Sequence, residues 1–78
     1  MPTVLRVGPY RFFFYSSEGA EPAHIHVERD KHRAKWWLDP VRLASSSGFG
    51  SHELVRIRSI VVEHEATMLG TWNEFFRH

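Results

Sequence analysis

In the first half of the chain apolar and polar residues alternate, and in the second half they recur every three or four positions. Alternation marks a strand with one buried face, because successive side chains point to opposite sides. Thr3 to Val7 is short and rich in β-formers, and Tyr10 to Tyr15 holds five aromatics and one arginine. Gly8-Pro9 between them predicts a tight hairpin. Ser16 to Ala23 is polar, contains Gly19 and Pro22, and is expected as an exposed loop. His24-Ile25-His26-Val27-Glu28 then alternates strictly, and Arg33-Ala34-Lys35-Trp36-Trp37-Leu38 alternates again as its partner across a turn at Arg29 to His32. Asp39-Pro40 ends that strand, since proline cannot donate to a ladder. Val41 to Ala44 suits a short edge strand before a Ser/Gly-rich loop that runs to Gly50.

From Ser51 the period becomes helical. Ser51 is a suitable N-cap, with Glu53 in the first turn, where the helix dipole favours an anion. Leu54, Ile57, Val61, Met68, Trp72 and Phe75 fall on one face. A single helix over 51–77 would have about 27 residues and a length of roughly 40 Å. Gly70 is the expected kink, at about 1 kcal/mol relative to alanine. A second stripe, Val55, Val62, Leu69 and Phe76, repeats every seven residues beside the first. One small sheet cannot cover both stripes. Either the helix breaks near Gly70, or the second stripe meets a partner or a second copy of the chain.

The expected architecture is therefore α+β: a small antiparallel sheet of three to five strands packed on one long C-terminal helix. It forms a single domain over 1–78, with a strand-rich half at 1–44 and the helix at 51–77. With 78 residues there is room for one domain only. Such a chain buries roughly 60% of its unfolded surface, so each large apolar side chain matters. Aromatics at 14% supply that core. The absence of cysteine excludes disulfides, thiolate metal sites and a thiol nucleophile. Ten basic against nine acidic residues give a net charge of +1, too balanced to announce nucleic acid or membrane by bulk charge. With no apolar run near the roughly 20 residues of a membrane span, a cytoplasmic protein is expected.

Strand parity sorts the candidate chemistry. Ile25, Val27, Ala34, Trp36, Leu38, Phe12 and Phe14 share the face that the helix covers. The opposite face collects His24, His26 and Glu28 with Arg33, Lys35 and Trp37, joined by Arg11, Phe13 and Tyr15. His-x-His on a strand projects two imidazoles to one side about 7 Å apart. Two histidines and a carboxylate form a ligand set for iron or catalytic zinc. Glu28 continues the row, and Glu18 or Glu21 can arrive from the loop. Without a metal, the same face suits acid–base work on a phosphodiester. His24 and His26 would then be the catalytic acid and base, with Arg11, Tyr15, Glu21, Arg33, Lys35 and Trp37 binding substrate. A third use of the face is to dock a protein without catalysis.

Other residues carry less. His64 lies near the core-facing stripe and is expected as a hydrogen-bonded boundary residue. His32, His52 and His78 have no motif value, and Trp36 and Trp72 belong in the core. Ser45 to Ser47 has no histidine placed beside it by sequence, so no serine nucleophile is expected. No cofactor is expected either, as no phosphate-cradling glycine motif occurs.

Gly8-Pro9-Tyr10-Arg11-Phe12-Phe13-Phe14-Tyr15-Ser16-Ser17-Glu18, followed by Glu21-Pro22-Ala23-His24-Ile25-His26-Val27, resembles the prokaryotic domain-of-unknown-function 4160 family. Ala34-Lys35-Trp36-Trp37-Leu38-Asp39-Pro40-Val41 and the segment from Glu53-Leu54 to Trp72-Asn73-Glu74-Phe75-Phe76 extend the likeness over almost the whole chain. The Glu-Pro-x-His-x-His-Val stretch is its most specific part. Pro9 replaces an expected second glycine, and Gly70 interrupts a helix expected to hold more charge; neither change touches the histidines. The resemblance groups Glu21, Pro22, His24 and His26 as a unit. It also implies one half of a toxin–antitoxin-type two-gene module. The partners expected are the protein of the adjacent gene from this resemblance, a second copy through Val55, Val62, Leu69 and Phe76 from the second stripe, and RNA from the histidine face. The alternatives are a non-enzymatic binding or homodimerisation module, and a metal-binding domain using His24, His26 and Glu28.

Overall fold

A computed structural model describes residues 3–77. Met1, Pro2 and His78, the last set aside above, lie outside the described residues. Five strands form one antiparallel meander in sequence order: β1 (Thr3–Val7), β2 (Tyr10–Phe13), β3 (His24–Arg29), β4 (His32–Leu38) and β5 (Val41–Ser47). Two helices follow, α1 (Ser51–Glu63) and α2 (Glu65–Phe75). The α+β class and the antiparallel sheet agree with the alternation. Among the described residues no helix is long and apolar enough to cross a membrane.

The turns follow local chemistry. Gly8 has φ +56° between paired Val7 and Tyr10, and Pro9 holds the next φ negative. These are the signs of a type II′ turn, whose twist suits a hairpin. Asp30 takes φ 56° between paired Arg29 and His32, a conformation that aspartate tolerates better than most side chains. β5 runs three residues past the expected end at Ala44. Ser45, Ser46 and Ser47 pair with Lys35, Ala34 and Arg33, beyond a bulge opposite Lys35 and Trp36. Serine is no strong β-former, and pairing with the well-packed β4 holds it there.

The core face is the one that parity assigned. Phe12, Phe14, Ile25, Val27, Ala34, Trp36 and Leu38 are buried against Ile57, Val61, Met68 and Trp72. The single long helix is not observed. The chain breaks at His64 (φ −108°, ψ 17°), while α2 continues through Gly70, whose surroundings are open. His64 Nδ1–H donates to the Ile60 carbonyl at 3.0 Å, a side-chain bond that competes with the helical ladder. The break turns α2 onto the sheet, so Leu69 and Phe76 pack against the core while Phe75 is left 48% exposed. Of the second stripe only Val55 and Val62 stand out to solvent, at 67% and 46%. Ser51 is the first helical residue and not the cap; Gly50 occupies the N-cap without a side-chain bond.

The first turn of α1 is anchored through the Glu53 side chain. Its carboxylate accepts from Tyr10 Oη at 2.8 Å and from Arg29 Nη2 at 2.8 Å, fastening the first turn of α1 to β2 and β3. The Arg29 bonds first, then that of Tyr10, lower its pKa from 4.5 to about 2. A carboxylate so depressed contributes stability above its unfolded value and loses it as pH falls through the folded one. Glu53→Gln should therefore lower the urea midpoint at pH 7. The gap to wild type should narrow between pH 4.5 and about 2, which denaturation at several pH values would show.

Candidate functional site

The opposite face is not the open surface that alternation alone suggested. Phe14 turns into the core, and the loop from Tyr15 to Ala23 closes over one end of β2 and β3. There Phe13 is 1% exposed and His24 is wholly buried. The loop is tied by its own backbone: Glu18 N–H donates to the Tyr15 carbonyl at 3.2 Å and Glu21 N–H to the Glu18 carbonyl at 3.1 Å. Gly19 rests on the ring of Phe76, where an added Cβ would stand 2.5 Å from Cδ1. Gly19→Ala should push the loop off that ring at a cost of about 1–3 kcal/mol, read from the thermal midpoint.

This closure brings Glu18 onto the two histidines. One oxygen of its carboxylate accepts from the Tyr15 amide at 3.0 Å, and both lie 3.0 Å from His26 Nε2. His24 Nε2 stands 2.9 Å from Glu18 Oε1. The carboxylate, His24 Nε2 and His26 Nε2 all lie within 4.8 Å of one another. Burial would raise the Glu18 carboxyl, but a proton on His24 Nε2, the Tyr15 amide and His26 outweigh it and hold the pKa down to about 2. Burial also lowers the His26 pKa, against the pull of Glu18. An ionised carboxylate beside a neutral imidazole is the protonation pattern that metal ligation requires.

His24 is the decisive member. Its Nδ1 lies 2.9 Å from the Pro22 carbonyl, and a carbonyl only accepts, so Nδ1 carries the proton. In the neutral ring Nε2 is then a bare lone pair, fully buried and without a hydrogen-bond partner. Despite the short distance to Glu18 Oε1, two lone pairs facing each other attract only through a proton or a cation between them. A histidine whose far nitrogen is fixed by a backbone carbonyl is the usual arrangement of a metal ligand. Packing fixes the rings as well. His26 stacks on Phe13 at 5.4 Å with Tyr15 edge-on at 4.9 Å, and His24 touches Trp72 of α2 at 4.7 Å.

Two expectations about the site change. The carboxylate beside the histidines is Glu18, from the loop, and not Glu28. Glu28 lies between two cations, Arg11 Nη1 at 3.2 Å and Arg33 Nη2 at 3.7 Å. His24 is wholly buried where an exposed strand residue was expected; His26 and Glu18 keep partial access, at 18% and 15%. The remaining candidates form a paired rim. Lys35 holds Glu21 at 2.6 Å and lies over the Trp37 ring at 4.7 Å, while Arg11 covers Phe13 at 4.4 Å. Tyr15 stands beside His26. Sequence reasoning also passed over Ser45 to Ser47, which with His26, Arg33 and Lys35 line a groove of about 280 Å³.

Fold and site together define a small α+β domain with a two-histidine, one-carboxylate cluster under a loop of its own sheet. The family described as Domain of unknown function (DUF4160) matches residues 10–73, and the chain belongs to it. That span includes every residue of the cluster. No curated protein and no solved structure matches the chain.

Proposed function

We propose that the chain is a metal-binding domain that takes one divalent transition-metal ion through Glu18, His24 and His26. The observation that carries this is the buried, unpartnered Nε2 of His24, aimed at a carboxylate that His26 also contacts. With metal–ligand bonds of roughly 2.1 Å, neighbouring ligand atoms lie about 3.0 Å apart in an octahedral shell and about 3.4 Å apart in a tetrahedral one, and the histidine–carboxylate distances are 2.9 and 3.0 Å. Two imidazoles favour zinc, iron, copper or nickel over calcium and magnesium, which prefer oxygen alone. When bound, such an ion supplies Lewis acidity or an activated water. The protein's own part is to fix the ring orientations from Phe13, Tyr15 and Pro22 and, through His26, to set the cluster beside the groove.

A metal-free acid–base site is the second reading, favoured by the His26–Glu18 pair at the edge of that groove. The two differ in one measurement. Protein purified without an affinity tag, stripped and then titrated with zinc, should bind one equivalent; less than about a tenth of an equivalent for zinc, manganese and iron(II) alike would reject the metal centre. Membership of a toxin–antitoxin-type module with a cognate protein rests on the family likeness alone, and work in the cytoplasm and action on RNA rest on the sequence pattern alone. The metal proposal stands without them.

A further inference from the structure

Next to the cluster the sheet register lines up three strands. His26 on β3 is paired with Lys35 on β4, and Lys35 with Ser45 on β5; Glu28, Arg33 and Ser47 form the row beside it. Paired residues share a face, so Lys35, Arg33, Ser45 and Ser47 point to the side of His26. Apart from Glu28, this surface offers an ammonium, a guanidinium and two hydroxyls. The serines are small enough to leave the groove open, and both are exposed. Arg33 is 63% exposed and only loosely held by Glu28 at 3.7 Å, so its donors are largely free. The bulge in β5 lies at the mouth of this groove, where a bulge re-aims side chains.

Charge decides what fits. The groove's own lining holds Arg33 and Lys35 and no carboxylate. Glu28 and Glu21 pair with these two from outside it, and a divalent ion in the cluster would add two positive charges beside them. Resting on the metal-binding reading, we infer that the groove is the substrate side of the metal centre and takes a phosphoryl oxyanion. In this arrangement the ion and Lys35 hold oxygens on the His26 side, and Arg33 with Ser45 and Ser47 hold the far side. A tetrahedral, multiply charged oxyanion uses donors spread over two rows and a cation, whereas a single carboxylate occupies fewer of them.

Zinc-loaded and zinc-free protein are titrated in parallel with inorganic phosphate, the dinucleotide UpU and acetate, followed by amide shifts of Arg33 and Ser45 to Ser47. Phosphate or UpU should bind the zinc-loaded protein at least about tenfold more tightly than the zinc-free one, and more tightly than acetate. Arg33→Gln with Lys35→Gln should cost at least about tenfold of that affinity while zinc still binds at one equivalent. Arg58→Gln, an exposed charge on α1, should leave it unchanged. Full zinc binding with phosphate affinity equal to that of acetate, or untouched by the Arg33 and Lys35 changes, overturns the oxyanion site and spares the metal centre. No zinc binding at all overturns both, because the inferred site takes the ion as one of the groups that hold the oxyanion.

Discussion

Replacing Glu18 with glutamine should weaken zinc binding by at least roughly 100-fold, more than the loss of an outer-shell partner usually costs. The change is nearly isosteric. It keeps an oxygen for the Tyr15 amide, so the loop has no steric reason to move. What it removes is the negative charge between two imidazoles. Glu28→Gln is the matched control. Glu28 follows His26 by two residues on the same strand, yet its carboxylate is engaged by Arg11 and Arg33. Zinc affinity in Glu28→Gln should stay within about threefold of wild type, since the Glu28 charge is already offset by Arg11 and Arg33. Equal losses in the two variants would mean that general negative charge, and not a ligand set, attracts the ion. His26→Gln should behave as Glu18→Gln does. His24→Gln is less informative, because a wholly buried side chain also supports the core.

The largest effect on stability is expected at Trp72. It is 5% exposed and touches Phe14 at 5.3 Å, Phe76 at 4.3 Å and His24 at 4.7 Å. Trp72→Ala should cost about 3–5 kcal/mol in lost burial and cavity. A domain of this size holds about 4–12 kcal/mol in all, so the variant should lose most of its cooperative transition, as urea denaturation followed by circular dichroism would show. Trp36 makes a useful comparison. Its indole N–H is buried with no partner, so part of the gain from burying that ring is already forfeited. Trp36→Phe should therefore cost less than Trp72→Phe. The reverse order would indicate that the sheet and not α2 carries the core.

The sheet was legible because alternation has a fixed geometric meaning. Ile25, Val27, Ala34, Trp36 and Leu38 lie where parity puts them, and His26, Lys35 and Arg33 lie on the other side. The loop was not legible, because an aperiodic segment carries no record of its path. Glu18 is eight residues from His26 and Glu28 only two, so nearness in sequence favoured the wrong carboxylate, and the cross-strand arginines that engage Glu28 appear only once register is known. The helix break was misplaced for an energetic reason. A glycine in open space costs a helix only about 1 kcal/mol, less than α2 gains by keeping Met68 and Trp72 on one buried face. His64 gave a weaker signal, a ring able to reach the carbonyl four residues back. The serines of β5 looked like a linker because their strand conformation depends on β4 beside them.

Gly19 against Phe76 bears on the order in which the molecule assembles. The two positions are 57 residues apart (76 − 19), and contacts of such separation form only after their loop-closure entropy has been met. The hairpin β3–β4 can present both imidazoles early, from local pairing alone. Glu18 reaches them in a fixed pose only when α2 has docked and Phe76 supports the loop. The cluster is then among the last features to become ordered during folding. Metal affinity would accordingly report on the docking of the final helix, even for substitutions that never approach a ligand.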